Sequence, residues 1–133
     1  MGLEEKYKIN KNIAYKLLEY NFFDASINRF YYSCFQKLLN YAEQRFEYKD
    51  AGEGSSHNNL IKFIDVEINK SMMHDNKKNL IKAKGITGNF KKLKQMRVIA
   101  DYKSESISEK DIPHVKRLVH GFDEKFGVVK NNM

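Results

Sequence analysis

Residues 24–42 constrain the fold most tightly. Read at helical spacing, Ile27, Phe30, Tyr31, Cys34, Leu38, Tyr41 and Ala42 fall on one face, with neither Gly nor Pro to interrupt the pattern. A second, narrower stripe carries Arg29, Tyr32, Phe35 or Gln36, and Leu39, which puts a fixed cation and a phenol one turn apart on a largely apolar helix. A helix with two apolar faces has neighbours on both sides, so this segment is expected at the centre of the molecule.

The rest of the chain has the same character. Its 133 residues contain 7 Gly and 1 Pro, too few for the many turns of a sandwich or barrel. A chain of this length can bury a core without disulfides or metals. A first helix is read over 4–20, with Ile9, Ile13, Leu17 and Tyr20 on one face and Ala14 and Leu18 beside it; Asn21 stops it and Asp24 can cap the central helix, which runs to about Phe46. Residues 47–56 form a loop. A third helix opens at Ser55 or Ser56 with Leu60, Ile61, Ile64 and Ile68 inward, and 69–76 form a second loop. Asp75 or Asn76 caps a fourth helix, in which Gly85 and Gly88 predict a break near 85–89 before a longer stretch, 89–102, with Phe90, Leu93, Met96, Ile99 and Ala100 inward. A loop spans 103–107. The last helix starts at Ser108 or Asp111, the second choice placing Pro113 in the first turn, and ends near Gly127. The whole chain, 1–133, is expected to form one domain, an all-α antiparallel up-and-down bundle of about five helices with a frayed tail after about residue 128.

Several chemistries find no footing. The single cysteine, Cys34, lies on the apolar face of the central helix and reads as a buried structural thiol, consistent with a reducing cytoplasm. The four histidines, His57, His74, His114 and His120, show no metal-ligand spacing, and Gly85-Ile-Thr-Gly88 lacks the strand–loop–helix setting of a phosphate loop. Neither a metal nor a cofactor is therefore expected. The first residues carry no apolar signal core, and no apolar run approaches the roughly 18 residues that cross a bilayer. A cytoplasmic protein without membrane contact is the expectation.

Charge points elsewhere. The net charge of +7 is unevenly spread: Lys77, Lys78, Lys82, Lys84, Lys91, Lys92, Lys94 and Arg97 follow one another with no carboxylate between Asp75 and Asp101. Solvated helices usually interleave both signs, so a one-sign run suggests an anion-binding surface. Arg97 and Asp101 stand one turn apart. They suit either a structural ion pair between helices or an arginine held by Asp101 and aimed at a phosphate.

Four short motifs then carry a family resemblance. They are Ala14-x-x-Leu17-Leu18; Phe23-x-Ala25-Ser26-x-Asn28-Arg29-x-Tyr31-Tyr32-x-x-Phe35; Ser56-His57-x-x-Leu60-Ile61; and Arg97-x-x-Ala100-Asp101-Tyr102. In this order and spacing, over roughly 8–127, the chain resembles the HEPN domain (higher eukaryotes and prokaryotes nucleotide-binding), most closely its small stand-alone prokaryotic branch. The resemblance implies a helical bundle, usually homodimeric, in toxin–antitoxin, RNA-processing or phage-defence modules, often beside a nucleotidyltransferase. Many members are metal-independent endoribonucleases whose motif is Arg, a polar residue and, within four to six residues, His. Here Arg97 takes the Arg position, Val98 follows it, and no His lies between Val98 and Pro113. The residues expected to act are Arg97 as phosphate binder with Asp101 and Tyr102 orienting it. Arg29, Tyr32, His57, Lys91, Lys92 and Lys94 are expected to bind RNA or nucleotide. The alternative is a non-catalytic adaptor that docks a partner protein such as a nucleotidyltransferase. The sharpest expectation is that Arg29 and Tyr32 both reach the Arg97–Asp101–Tyr102 turn.

Overall fold

The computed structural model describes residues 2–102 and 107–133. Among them are five α-helices and no strand: α1 (Leu3–Glu19), α2 (Phe23–Phe46), α3 (Ser56–Met72), α4 (Lys77–Tyr102) and α5 (Ile112–Asn132). The chain is an all-α antiparallel bundle. The expected loop over 103–107 lies, but for Ile107, outside the described residues.

The central position of α2 follows from its two faces. It packs against α1, α3, α4 and α5. Ile27, Phe30, Tyr31, Cys34, Leu38 and Ala42 are buried, and Tyr41 packs at the core's edge. From α3 come Leu60, Ile61, Ile64 and Ile68; from α4, Ala83, Ile86, Phe90 and Leu93; from α5, Val115, Leu118, Val119 and Phe122. Removing these side chains from water supplies the main driving force for collapse.

Helix α1 departs from its expected face. Ala14 is its one fully buried residue, whereas Ile9 and Tyr20 are exposed. The α1–α2 seam is built on small residues and polar ties instead: the Ser26 hydroxyl donates to the Ala14 carbonyl (2.9 Å) and the Ser33 hydroxyl to the Tyr7 carbonyl (2.8 Å). Such contacts bring the backbones close, while Leu18 packs at the core's edge and Tyr15 meets Phe30 edge-on (5.0 Å).

The helix ends correct several other expectations. Asn21 does close α1, in a left-handed conformation (φ 63°). Asp24 does not cap α2; its carboxylate accepts from the Ile107 backbone N–H (2.8 Å) and so ties the segment before α5 to the start of α2. Ser55 caps α3 by accepting from the Asn58 N–H (3.3 Å), and Asn76 accepts from the Asn79 N–H (2.8 Å) at the start of α4. Helix α3 runs to Met72, which is buried, so the second loop is shorter than expected. Ser108 and Asp111 form a capping box around a short 3₁₀ turn, after which α5 begins with Pro113 in its first turn, where a missing N–H costs nothing. Gly127 does not end α5. The helix continues through Asn132, Val129 is buried, and Arg45 Nε donates to the Met133 carbonyl (2.9 Å), so the expected frayed tail is packed.

Nor do Gly85 and Gly88 break α4, which is continuous. Gly85 lies under the Lys125 side chain, whose Cε would come within 2.8 Å of an added Cβ. Lys125 Nζ then donates to Asn89 Oδ1 (2.9 Å), and Asn89 Nδ2 donates to the Leu118 carbonyl (3.1 Å), clamping α4 to α5. Gly88 faces open solvent with nothing within 4 Å of an added Cβ. Gly88→Ala is therefore expected to stabilise the fold by about 1 kcal/mol, since it restricts the unfolded chain at no steric cost. Urea denaturation measures this, and a destabilised variant would mean that α4 is not helical through residue 88.

Candidate functional site

The α2, α3 and α4 helices converge on an aromatic cluster that holds one arginine and one histidine. Residues Tyr31, Tyr32 and Phe35 project from adjoining positions of α2. The Phe90 ring, buried on α4, stacks on Tyr31 at 5.0 Å between centroids. His57, in the first turn of α3, stacks on Phe35 (4.1 Å) and Tyr31 (5.4 Å) and meets Tyr32 edge-on (6.0 Å). Its Nδ1 is hydrogen-bonded to the Tyr31 hydroxyl.

Arg97 enters this cluster from α4. Its Cζ lies 4.9 Å from the Tyr31 ring and 5.6 Å from the Tyr32 ring, both cation–π distances. Nη1 donates to the Tyr32 hydroxyl (2.9 Å). Asp101, the expected partner one turn on, is only a loose one. Its Oδ2 is 3.8 Å from Nε, close enough for charge attraction but too far for a hydrogen bond, and that oxygen accepts instead from Asn28 Nδ2 (3.1 Å). Nε is buried and has no hydrogen-bond partner among the described residues, although the Arg97 side chain is only 14% exposed. A buried guanidinium is normally matched by well-formed bonds to anions. This one has a neutral phenol, two ring faces and a displaced carboxylate.

Protonation states follow from the packing. Burial pushes the Tyr31 phenol well above its usual range, so it stays protonated and is the donor to His57 Nδ1. That assignment leaves the histidine proton on Nε2. Burial, and after it the charges of Lys94 and Arg97, hold His57 below its usual pKa. The neutral ring is thus the folded form, and the site offers N–H donors rather than a strong base. The sign for stability is fixed by this direction. Above the unfolded value of about 6.5 both states are neutral and His57 contributes no pH dependence; as the pH falls below it the unfolded chain takes up the proton first, and stability is lost. His57→Gln is expected to flatten that acid-side loss. A wild-type urea midpoint equal at pH 7.5 and pH 5.5, after subtracting the variant's own change, would contradict it.

Of the expected site residues, Arg97, Asp101, Tyr32 and His57 come together. Arg29 does not. It is exposed and its Nη1 donates to Asn10 Oδ1 on α1 (2.8 Å), because its position on α2 faces the α1 seam rather than α4. Tyr102 is also outside the cluster, 73% exposed at the end of α4. Lys94 donates to Asn58 Oδ1 (3.1 Å), bridging α4 to the residue after His57. Lys91 and Lys94, with Asn58, Gln95, Val98 and Ile99, line a shallow groove between α3 and α4. Lys92, at 100° per residue, lies away from the Arg97 face. Lys77, Lys78, Lys82, Lys84, Lys91 and Lys92 are exposed, and among the described residues no α4 lysine is paired with a carboxylate. Sequence reasoning missed Tyr31, Phe35 and Asn28 as members of the site. Tyr31 lies on the apolar face and reads as core; its signal, like that of Asn28 and Phe35, was its place in the motif around Tyr32.

No group of three or more His, Cys, Asp or Glu side chains placed to hold a metal occurs among the described residues, and no helix there is long and apolar enough to cross a membrane. Comparison with protein-family models, with curated proteins and with solved structures finds no match.

Proposed function

We propose that this chain is a HEPN-type helical protein that binds RNA or a nucleotide through its phosphate, as part of a cytoplasmic toxin–antitoxin or phage-defence module. Arg97 is the phosphate-binding residue, oriented by Tyr32 and Asp101, with His57 as a second donor and the α4 lysines as the electrostatic approach. The observation that carries this reading is the incomplete neutralisation of Arg97: among the described residues its one hydrogen bond goes to the Tyr32 hydroxyl and its carboxylate neighbour stands 3.8 Å away, so the guanidinium keeps uncompensated charge for an oxyanion. In the homodimer that the HEPN resemblance implies, two such sites would act together. Metal-free cleavage is an activity within the same reading. Protonated Tyr31 and the Nε2–H tautomer of His57 favour phosphate binding over proton abstraction.

The test is a titration of the protein into a labelled short RNA over a range of salt. Binding that weakens steeply with salt, by about 0.7 in logarithmic slope per phosphate neutralised, supports the reading. A flat salt response would sink it. Cleavage assays on the wild type and Arg97→Ala address activity, and cleavage that survives the substitution removes Arg97 from the mechanism. The adaptor reading is favoured by a separate observation, the exposed apolar side chains Val66, Met73 and Ile81 on α3, the α3–α4 connection and α4. It predicts co-purification with a protein rather than with nucleic acid.

A further inference from the structure

A second charged cluster lies on the opposite side of α2, where α1, α2 and α5 meet. Lys11 of α1 and Lys37 of α2 both bind the carboxylate of Asp123 on α5, Lys37 at 3.1 Å. All three side chains are largely withdrawn from solvent, at 35%, 21% and 28% exposure. They line a recessed cleft of about 220 Å³ walled by Tyr7, Phe30 and Val119, with Ser33 and the buried Cys34 at its base. Lys37 also sits 4.5 Å from the Phe126 ring centroid. Lys8, at the cleft's edge, is paired with Glu4 (3.1 Å) and takes no part in the balance.

The charge there is not closed. Two ammonium groups share one carboxylate in a partly desolvated place, where excess charge is costly. For Lys11, burial works to lower the pKa, but the hydrogen bond to Asp123 and its negative charge outweigh it and hold the ammonium above its usual range. Burial, and next the charge of Asp123, push the Cys34 thiol far up, so it remains neutral and does not supply the missing anion. Each ammonium has three protons, and the bonds to Asp123 leave others free.

We infer that this cleft is a second binding site, separate from Arg97, for the oxyanion head, carboxylate or phosphate, of a small molecule whose body rests on Tyr7, Phe30 and Val119. Lys37 and Lys11 hold the head and Asp123 holds the lysines apart and in place. The cleft volume is at or below the low end of small-molecule pockets, about 300 Å³, which excludes a polynucleotide and fits an anion of a few heavy atoms.

The experiment is a thermal-shift series with inorganic phosphate and, in parallel, sodium butyrate, at constant ionic strength. The full chain is used as wild type, Lys37→Met and Arg97→Met. Lys37→Met keeps the apolar stem over Phe126 and leaves the Lys11–Asp123 pair intact, so the fold is retained. The expected result is a saturable rise in melting temperature, about 5 °C at tenfold excess over the dissociation constant, for one of the two anions. It should persist in Arg97→Met and vanish when Lys37→Met is added to Arg97→Met, a background without the phosphate site proposed at Arg97. Backbone amide shifts at Ser33, Cys34 and Lys37 on titration with the same anion give a readout that does not depend on stability. Three outcomes overturn the inference: no saturable rise with either anion, the same rise in Arg97→Met with and without Lys37→Met, or a rise that disappears in Arg97→Met. The last would place the anion at the Arg97 site and support the phosphate reading there.

Discussion

Phe90→Ala is expected to lower stability by about 3–5 kcal/mol, the range for deleting a fully buried aromatic side chain. The ring is completely buried, stacks on Tyr31 and lies 6.3 Å from Phe35. The substitution removes its dispersion contacts and leaves a cavity that rigid helices cannot close. It also removes the floor on which Tyr31 stands, and through Tyr31 the bond that holds His57 Nδ1. Stability and site order should fall together. Urea denaturation reads the first, and the His57 ring resonances in NMR spectra read the second. A loss under 1 kcal/mol would mean that α4 does not pack on α2 through this ring.

Arg97→Met is expected to have the opposite profile. The guanidinium is surrounded by Tyr31, Tyr32 and a carboxylate too distant for a hydrogen bond. Replacing an incompletely paired buried charge with an apolar side chain of similar length is often neutral or stabilising, here by about 1 kcal/mol. Affinity for RNA should nevertheless drop by about 10- to 100-fold, the equivalent of charge-assisted hydrogen bonds worth about 1.5–3 kcal/mol. A residue whose removal helps the fold and harms binding is held for binding. If Arg97→Met unfolds the chain instead, the arginine is structural, and its pairing with Asp101 is the reason it is there.

The sequence made the helices legible to different degrees. The stripe on α2 and the four inward residues of α3 were readable because a 3.6-residue period repeats with little interruption, and all of those on α3 are buried. The α4 helix was misread at Gly85 and Gly88 because intrinsic propensity is a local quantity. It does not register Lys125, forty residues along the chain, lying over Gly85. The continuation of α5 past Gly127 has the same cause, since Val129 and the Arg45–Met133 bond hold the last turn from outside it.

The site shows the same division. Arg97, Asp101 and Tyr32 could be connected because their spacing puts each on a known face of its helix. His57 could be named but not placed, since only the packing of α3 on α2 brings its ring between Tyr31 and Phe35. Arg29 and Tyr102 were misplaced by a geometric subtlety. Tyr32 and Arg29 are three apart, about 60° around the helix, and this is enough for Arg29 to face Asn10 on α1 while Tyr32 faces Arg97 on α4. Tyr102 follows Asp101 directly and so points some 100° away from it, into solvent.

Phosphate binding by Arg97 is tested most directly by the affinity of Arg97→Met for a short RNA, measured beside its urea midpoint at one low salt concentration. If Arg97 binds phosphate, affinity falls at least tenfold, or about 1.4 kcal/mol, with a midpoint equal to or above that of the wild type. Unchanged affinity with an unchanged midpoint would contradict it.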